Sequence, residues 1–88
     1  MPAYRVVVKP SVEKDLRSVP AAVVEKVLGV IDGLREKPFA RGSVKLAGTE
    51  GLYRIRVGQY RVIYAVDRGA RQVTVHYVRH RREVYRVL

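Results

Sequence analysis

Between Arg54 and Tyr85 the chain carries two groups of residues whose types and spacing could act on a phosphate. Gly58-Gln59 suits the central positions of a two-residue type II′ hairpin turn. With that loop Val57 pairs with Tyr60, Arg56 falls directly opposite Arg61, and Arg54 follows two residues along on the same face. Like charges opposed across strands destabilise a sheet, whereas a ligand phosphate would relieve them. The bland alternative is a solvated sheet face. The second group, Arg79-His80-Arg81-Arg82-Glu83-Val84-Tyr85-Arg86, interleaves cations with an aromatic hydroxyl, a composition that suits base stacking. Its alternative is a basic terminal helix or strand whose Tyr85 packs on the sheet.

Other chemistries find little support. His76 and His80 are the only histidines and no convergent carboxylate pair accompanies them, so no metal site is expected. The absence of cysteine removes thiol catalysis, zinc knuckles and disulfides. Neither a glycine-rich phosphate loop nor a nucleophile elbow occurs, and nothing implies a cofactor.

The elements that must position these groups follow from the periodicity. Tyr4 to Lys9 reads as a short strand closed by Pro10. Ser11 is a candidate cap for a short helix over Val12 to Ser18, and Pro20 fits the first position of a second helix. In that helix Val23, Val24, Val27, Leu28, Ile31 and Leu34 form the face for burial, Gly29 and Gly33 lie inside, and Pro38 is the expected stop. After a polar link over Phe39 to Ser43 the period becomes two. Leu52 to Val57, Tyr60 to Val66 and Gln72 to Val78 read as strands, with a second turn at Asp67 to Arg71. Tyr53, Ile55, Val57, Val62, Tyr64 and Val66 then share the face that the second helix should cover. Arg79 to Leu88 is ambiguous between a last strand and a short helix. The expected fold is α+β, one domain over residues 1–88 in the order β-α-α-β-β-β, with two helices packed on a small antiparallel sheet.

Charge narrows the partners. The 88 residues hold 18 Lys and Arg against 8 Asp and Glu, a net +10, while 48% apolar content argues for a packed core over a disordered basic tail. Residues 1–51 hold nine basic and six acidic residues, or +3; residues 52–88 hold nine and two, or +7, and all nine are arginine. Such a domain calls for nucleic acid, an acidic membrane or an acidic protein. Apolar runs are short and no leader pattern follows Met1, so a cytoplasmic location away from membranes is expected.

Lys45-Leu46-Ala47-Gly48, then Leu52-Tyr53-Arg54-Ile55-Arg56-Val57-Gly58-Gln59-Tyr60-Arg61-Val62-Ile63-Tyr64, then Val78 to Tyr85 closely resemble the RelE/ParE superfamily of type II toxin–antitoxin toxins. The resemblance implies a RelE-like microbial RNase fold and a metal-independent endoribonuclease, an mRNA interferase. Such a protein cuts messenger RNA in the A site of the 70S ribosome through 2′-OH attack and so inhibits translation. It also implies a cognate RelB-like antitoxin in a hetero-oligomer. Carried over position by position, it gives Arg61, Arg81 and Tyr85 as catalytic residues, the arginines clamping the scissile phosphate and Tyr85 acting as base or orienting the 2′-OH. Lys45, Arg54, Arg56, Arg79, His80 and Arg82 become RNA-binding. Ala47 stands where some relatives carry arginine, and His80 is either a proton-transfer group or a partly exposed strand-end residue. A ParE-like inhibitor of DNA gyrase and a non-catalytic module binding RNA or antitoxin are the alternatives.

Overall fold

The structure, a computed structural model, describes residues 3–86. Five strands and two helices follow in the order β1 (Arg5–Val8), α1 (Pro10–Leu16), α2 (Ala21–Gly33), β2 (Val44–Lys45), β3 (Leu52–Val57), β4 (Tyr60–Asp67) and β5 (Gln72–His80), and a 3-10 turn spans Val84–Arg86. One sheet takes the strand order β1-β5-β4-β3-β2. The expected α+β architecture and the antiparallel β3-β4-β5 meander are present. The sheet is nevertheless mixed, because β1 lies parallel to β5 with Arg5 beside Gln72 and Val8 beside Val75. The two helices supply the long crossover that a parallel pairing needs.

Two helix starts differ from expectation. Pro10 is the first residue of α1 and Lys9 occupies the cap position, so Ser11 does not cap the helix. Its hydroxyl instead donates to the His76 carbonyl at 2.7 Å. The reason lies in the edge of β5. β1 stops at Val8, and beyond it the β5 backbone would have no partner; the Lys9 N–H reaches the Val75 carbonyl, Ser11 the His76 carbonyl, and the Asp15 carboxylate accepts from the Val78 N–H at 3.0 Å. Helix α1 thus continues the ladder with side chains, because a buried backbone group left unpaired costs about as much as a lost hydrogen bond.

Helix α2 begins after Pro20 and ends at Gly33, before Pro38 could stop it. Pro38 has another part: its buried carbonyl accepts from the Tyr64 hydroxyl at 2.8 Å. The buried stripe is centred on Val27, Ile31 and Leu34 with Val23, Val24 and Val30 beside it. Leu28, placed in the buried face by the sequence, is 50% exposed, since it stands about 100° around the helix from Val27. Against this stripe pack Ile55, Val57, Val62, Tyr64, Val73, Val75 and Val78, with Tyr53 and Val66 partly buried.

Tyr64 is fully buried, and burial raises its phenol above the ordinary 10.0. Below that pH the folded and unfolded chains both hold the proton; above it the unfolded chain ionises first, so this share of stability is lost as pH rises toward the folded value. Chemical denaturation between pH 9 and 11 is expected to show a steeper alkaline loss in the parent protein than in Tyr64→Phe. Equal slopes would refute this assignment.

A bulge completes the sheet. Ile63 pairs with Tyr77 and Tyr64 with Val75, leaving His76 as the extra residue on β5. Burial, then the nearby Lys9 charge, holds its imidazole below its usual value. Among the described residues no helix is long and apolar enough to cross a membrane.

Candidate functional site

The sheet has one face for the helices and one for arginine. The β3-β4 hairpin has the expected register: Val57 pairs with Tyr60, and Arg56 lies directly opposite Arg61. Gly58 has φ +58° and Gln59 does not have positive φ, as a type II′ turn requires. No neighbouring atom would obstruct a side chain at Gly58, so backbone conformation alone selects glycine there. On the far side of β4, Arg61 pairs with Arg79 of β5. Three arginines therefore form a row across three strands.

Their charges are not handled alike. Arg79 places Nε 2.7 Å from Asp15 Oδ1, a carboxylate whose side chain is only 6% exposed. Because Nε finds no well-directed acceptor, the contact is a charge pair more than an aligned hydrogen bond. Asp15 thus holds the β5 backbone with one oxygen and a guanidinium with the other. Arg61 and Arg56 have no carboxylate partner among the described residues; the ion pairs there are Arg79 with Asp15 and Arg35 with Asp32. Arg61 Nη1 instead donates to the carbonyls of Gly58 and Tyr60 at 3.1 and 2.9 Å, which folds the guanidinium over the turn.

The tail closes on the same end of the sheet. The Arg81 N–H donates to the Gln59 carbonyl at 2.7 Å, anchoring the chain after β5 to the hairpin turn. The ambiguous tail thus resolves into two further residues of β5 and the 3-10 turn, whose Val84 is fully buried and whose Tyr85 is 62% exposed; Val87 and Leu88 lie outside the described residues. Burial first, then Arg56 and Arg54, lower the proton affinity of Arg61; Tyr85 opposes them and Arg81 adds to them. Of the residues singled out in the sequence, Arg56 stands directly opposite Arg61, Arg54 lies on the same face, and the charges of these two, of Arg81 and of Tyr85 act on the Arg61 guanidinium.

The remaining candidates lie elsewhere. His80 pairs with Tyr60, so it faces the helix side of the sheet, away from Arg61. Its ring meets the Tyr60 ring edge-on at 5.5 Å, and its Nδ1 accepts from the Arg82 N–H at 3.2 Å. It lines a groove of about 500 Å³ with Lys14, Asp15, Val19 and Glu83. Arg82 is exposed in the turn after β5. Lys45 pairs with Tyr53 and shares the helix-side orientation, whereas its neighbour Val44 pairs with Arg54 on the arginine face. Two residues that the sequence reading did not single out belong to the arrangement. Asp15 carries a visible signal, a carboxylate in the apolar series Val12, Leu16, Val19. Arg41, which lines a groove with Arg54 and Arg56, carries none, since it precedes a strand of two residues.

An arrangement of unpaired guanidinium groups beside an exposed phenol can hold a phosphodiester and meet the negative charge that builds on it during displacement. Comparisons with known proteins place the chain in a family. Residues 6–85 match the family model described as ParE toxin of type II toxin–antitoxin system, parDE. The toxin RelE of Mycobacterium tuberculosis is 34% identical over 88 residues, covering 96% of this chain and 88% of that protein. Among solved structures, the archaeal RelE–RelB complex of Pyrococcus horikoshii aligns with a TM-score of 0.79 at 36% identity, over 92% of this chain and 97% of that one. The RelBE toxin–antitoxin complex of E. coli aligns with a TM-score of 0.73 at 26% identity, over 86% and 94%. With four-fifths or more of the chain matched in each comparison, and with the fold in agreement, this chain belongs to the RelE/ParE superfamily as a toxin of a type II toxin–antitoxin system.

Proposed function

We propose that this toxin is a metal-independent endoribonuclease that cuts messenger RNA in the ribosomal A site. The observation that carries the reading is the cross-strand pair of Arg56 and Arg61, which has no carboxylate partner among the described residues, with the Arg81 backbone anchored to the hairpin turn beside it. In this reading Tyr85 acts as its phenolate, takes the proton of a ribose 2′-OH to become the phenol, and the ribose oxygen attacks the adjacent phosphorus. Arg61 and Arg81 hold the non-bridging oxygens as the phosphorane charge builds. The bond to the 5′-oxygen breaks, leaving a 2′,3′-cyclic phosphate and a 5′-OH. The placement of His80 on the other side of the sheet, with Nδ1 occupied, supports solvent as the proton source for the 5′-oxygen. Arg54 and Arg56 act through charge, since arginine does not titrate in the working range. The partners of this reading are the 70S ribosome, its messenger and a RelB-like antitoxin, as in the RelE–RelB complexes that the chain resembles.

Purified toxin added to a translating system is expected to give codon-positioned cuts with 5′-OH ends, mapped by primer extension. Arg81→Ala and Tyr85→Phe should each lower the rate by about a hundredfold or more. Cleavage that ignores codon position, or that persists in both variants, would count against the nuclease. The description of the matching family favours one second reading, a ParE-like gyrase inhibitor. Intact messenger together with blocked supercoiling would establish it.

A further inference from the structure

The basic track does not end at the hairpin. Arg54 and Arg56 lie two residues apart on the arginine face of β3, a spacing of roughly 6.5–7 Å along the strand. Past Arg54, toward the β2 edge, is a groove of about 340 Å³ lined by Arg41, Gly42, Val44, Arg54, Ile55 and Arg56. Its lining holds three cations and no carboxylate, and none of the three is in an ion pair among the described residues. Val44 is 44% exposed and gives the groove an apolar wall where Lys45, turned to the other face, would have given a charged one. Such a cluster repels itself, so the neutralising charge has to come from outside.

We propose that this groove is a second phosphate subsite, which holds the nucleotide next to the one cut at Arg61, with Arg41 as its outer ligand. The proposal rests on the RNA-cleaving reading above. A polynucleotide fits better than an acidic peptide because the guanidinium groups run as one series from Arg61 through Arg56 and Arg54 to Arg41. A phosphodiester chain presents charge at regular intervals to such a series, and each planar fork can take a phosphate through two donors. The apolar wall at Val44 suits a ribose or the face of a base.

The test uses ribosomes stalled with an empty A site on a message carrying a 2′-deoxyribose at the cut position, so that binding is read without cleavage. Toxin affinity is measured against salt concentration. Each phosphate contact on a single strand contributes a slope of about 0.7, so Arg41→Ala is expected to lower the slope by that amount and the affinity by about fivefold near 0.1 M salt. The difference should disappear on a message whose neighbouring phosphate is replaced by an uncharged methylphosphonate, and Arg41→Lys should keep the slope. Wild-type affinity and slope in Arg41→Ala, or the same loss on the methylphosphonate message, would overturn the subsite. Arg61→Ala is run beside it: if both variants bind like the parent, the RNA reading itself fails, whereas a silent Arg41 beside a sensitive Arg61 removes the groove alone. Unchanged RNA binding with weakened capture of purified antitoxin would assign the groove to protein and also refute the proposal.

Discussion

Replacing Arg61 with alanine is expected to lower the cleavage rate by about a hundredfold to a thousandfold while leaving stability within about 1 kcal/mol of the parent. The two effects separate because the side chain is placed for charge more than for packing. Its position between Arg56 and Arg79 is unfavourable to the sheet, and cross-strand repulsion of this kind costs about 0.2–1 kcal/mol per pair. Its hydrogen bonds to the Gly58 and Tyr60 carbonyls offset that cost, and water can replace them at the partly exposed turn. Removal of the guanidinium therefore cancels small terms of opposite sign in the fold. In the proposed cleavage nothing would cancel it, because the phosphorane would lose a donor that was already in place. Single-turnover cleavage and thermal melting of the same preparations check both halves. A large loss of melting temperature would show Arg61 to be a structural residue.

Asp15→Ala is expected to have the reverse profile, a loss of roughly 2–4 kcal/mol in urea unfolding. For 88 residues total stability is on the order of 4–13 kcal/mol, so this is a large fraction. The substitution leaves the Val78 N–H buried without an acceptor and Arg79 without its counter-charge. The figure stays below the upper range for buried pairs because Arg79 keeps 31% of its side chain in solvent. Asp15→Asn, which keeps an acceptor for the Val78 N–H, should cost about half as much. If both variants unfold with the parent's midpoint, α1 does not hold β5 through this carboxylate. There is also a consequence for the arginine row, since freed Arg79 would bring a third uncompensated charge beside Arg61.

The parts of this arrangement that the sequence reveals are those governed by local rules. A two-residue turn fixes hairpin register by counting, so the opposition of Arg56 and Arg61 is readable from Gly58-Gln59 alone. The parallel joining of β1 to β5 is not, because it depends on residues more than sixty positions apart that carry no mark of their pairing. The same long-range contact diverts Ser11 from the helix cap, a role that its local context favoured. The orientation of Lys45 and the groove beside Arg41 are hidden in the sequence for a related reason. Strand β2 has only two residues and shows no period, and without its register to β3 there is no telling that Val44 shares the face of Arg54. Position by position, likeness to a family points to Arg54, Arg56 and Arg61, which the register sets on one face; it does not point to Asp15, whose meaning depends on what lies across from it.

The pairing of the first strand with the last has a bearing on how the molecule comes into being. Both β1 and α1 have their backbone or side-chain partners on β5, so neither can settle until residues 72–80 have been synthesised. Until then the apolar faces of β1, α1 and α2 lack much of the sheet that covers them, and contacts of such long sequence separation form slowly. The strand that completes the core also leads directly into the segment that bears Arg81 and Tyr85. Core closure and assembly of the basic site are therefore one late event, and a nascent or truncated chain lacking β5 has neither a stable body nor a working surface.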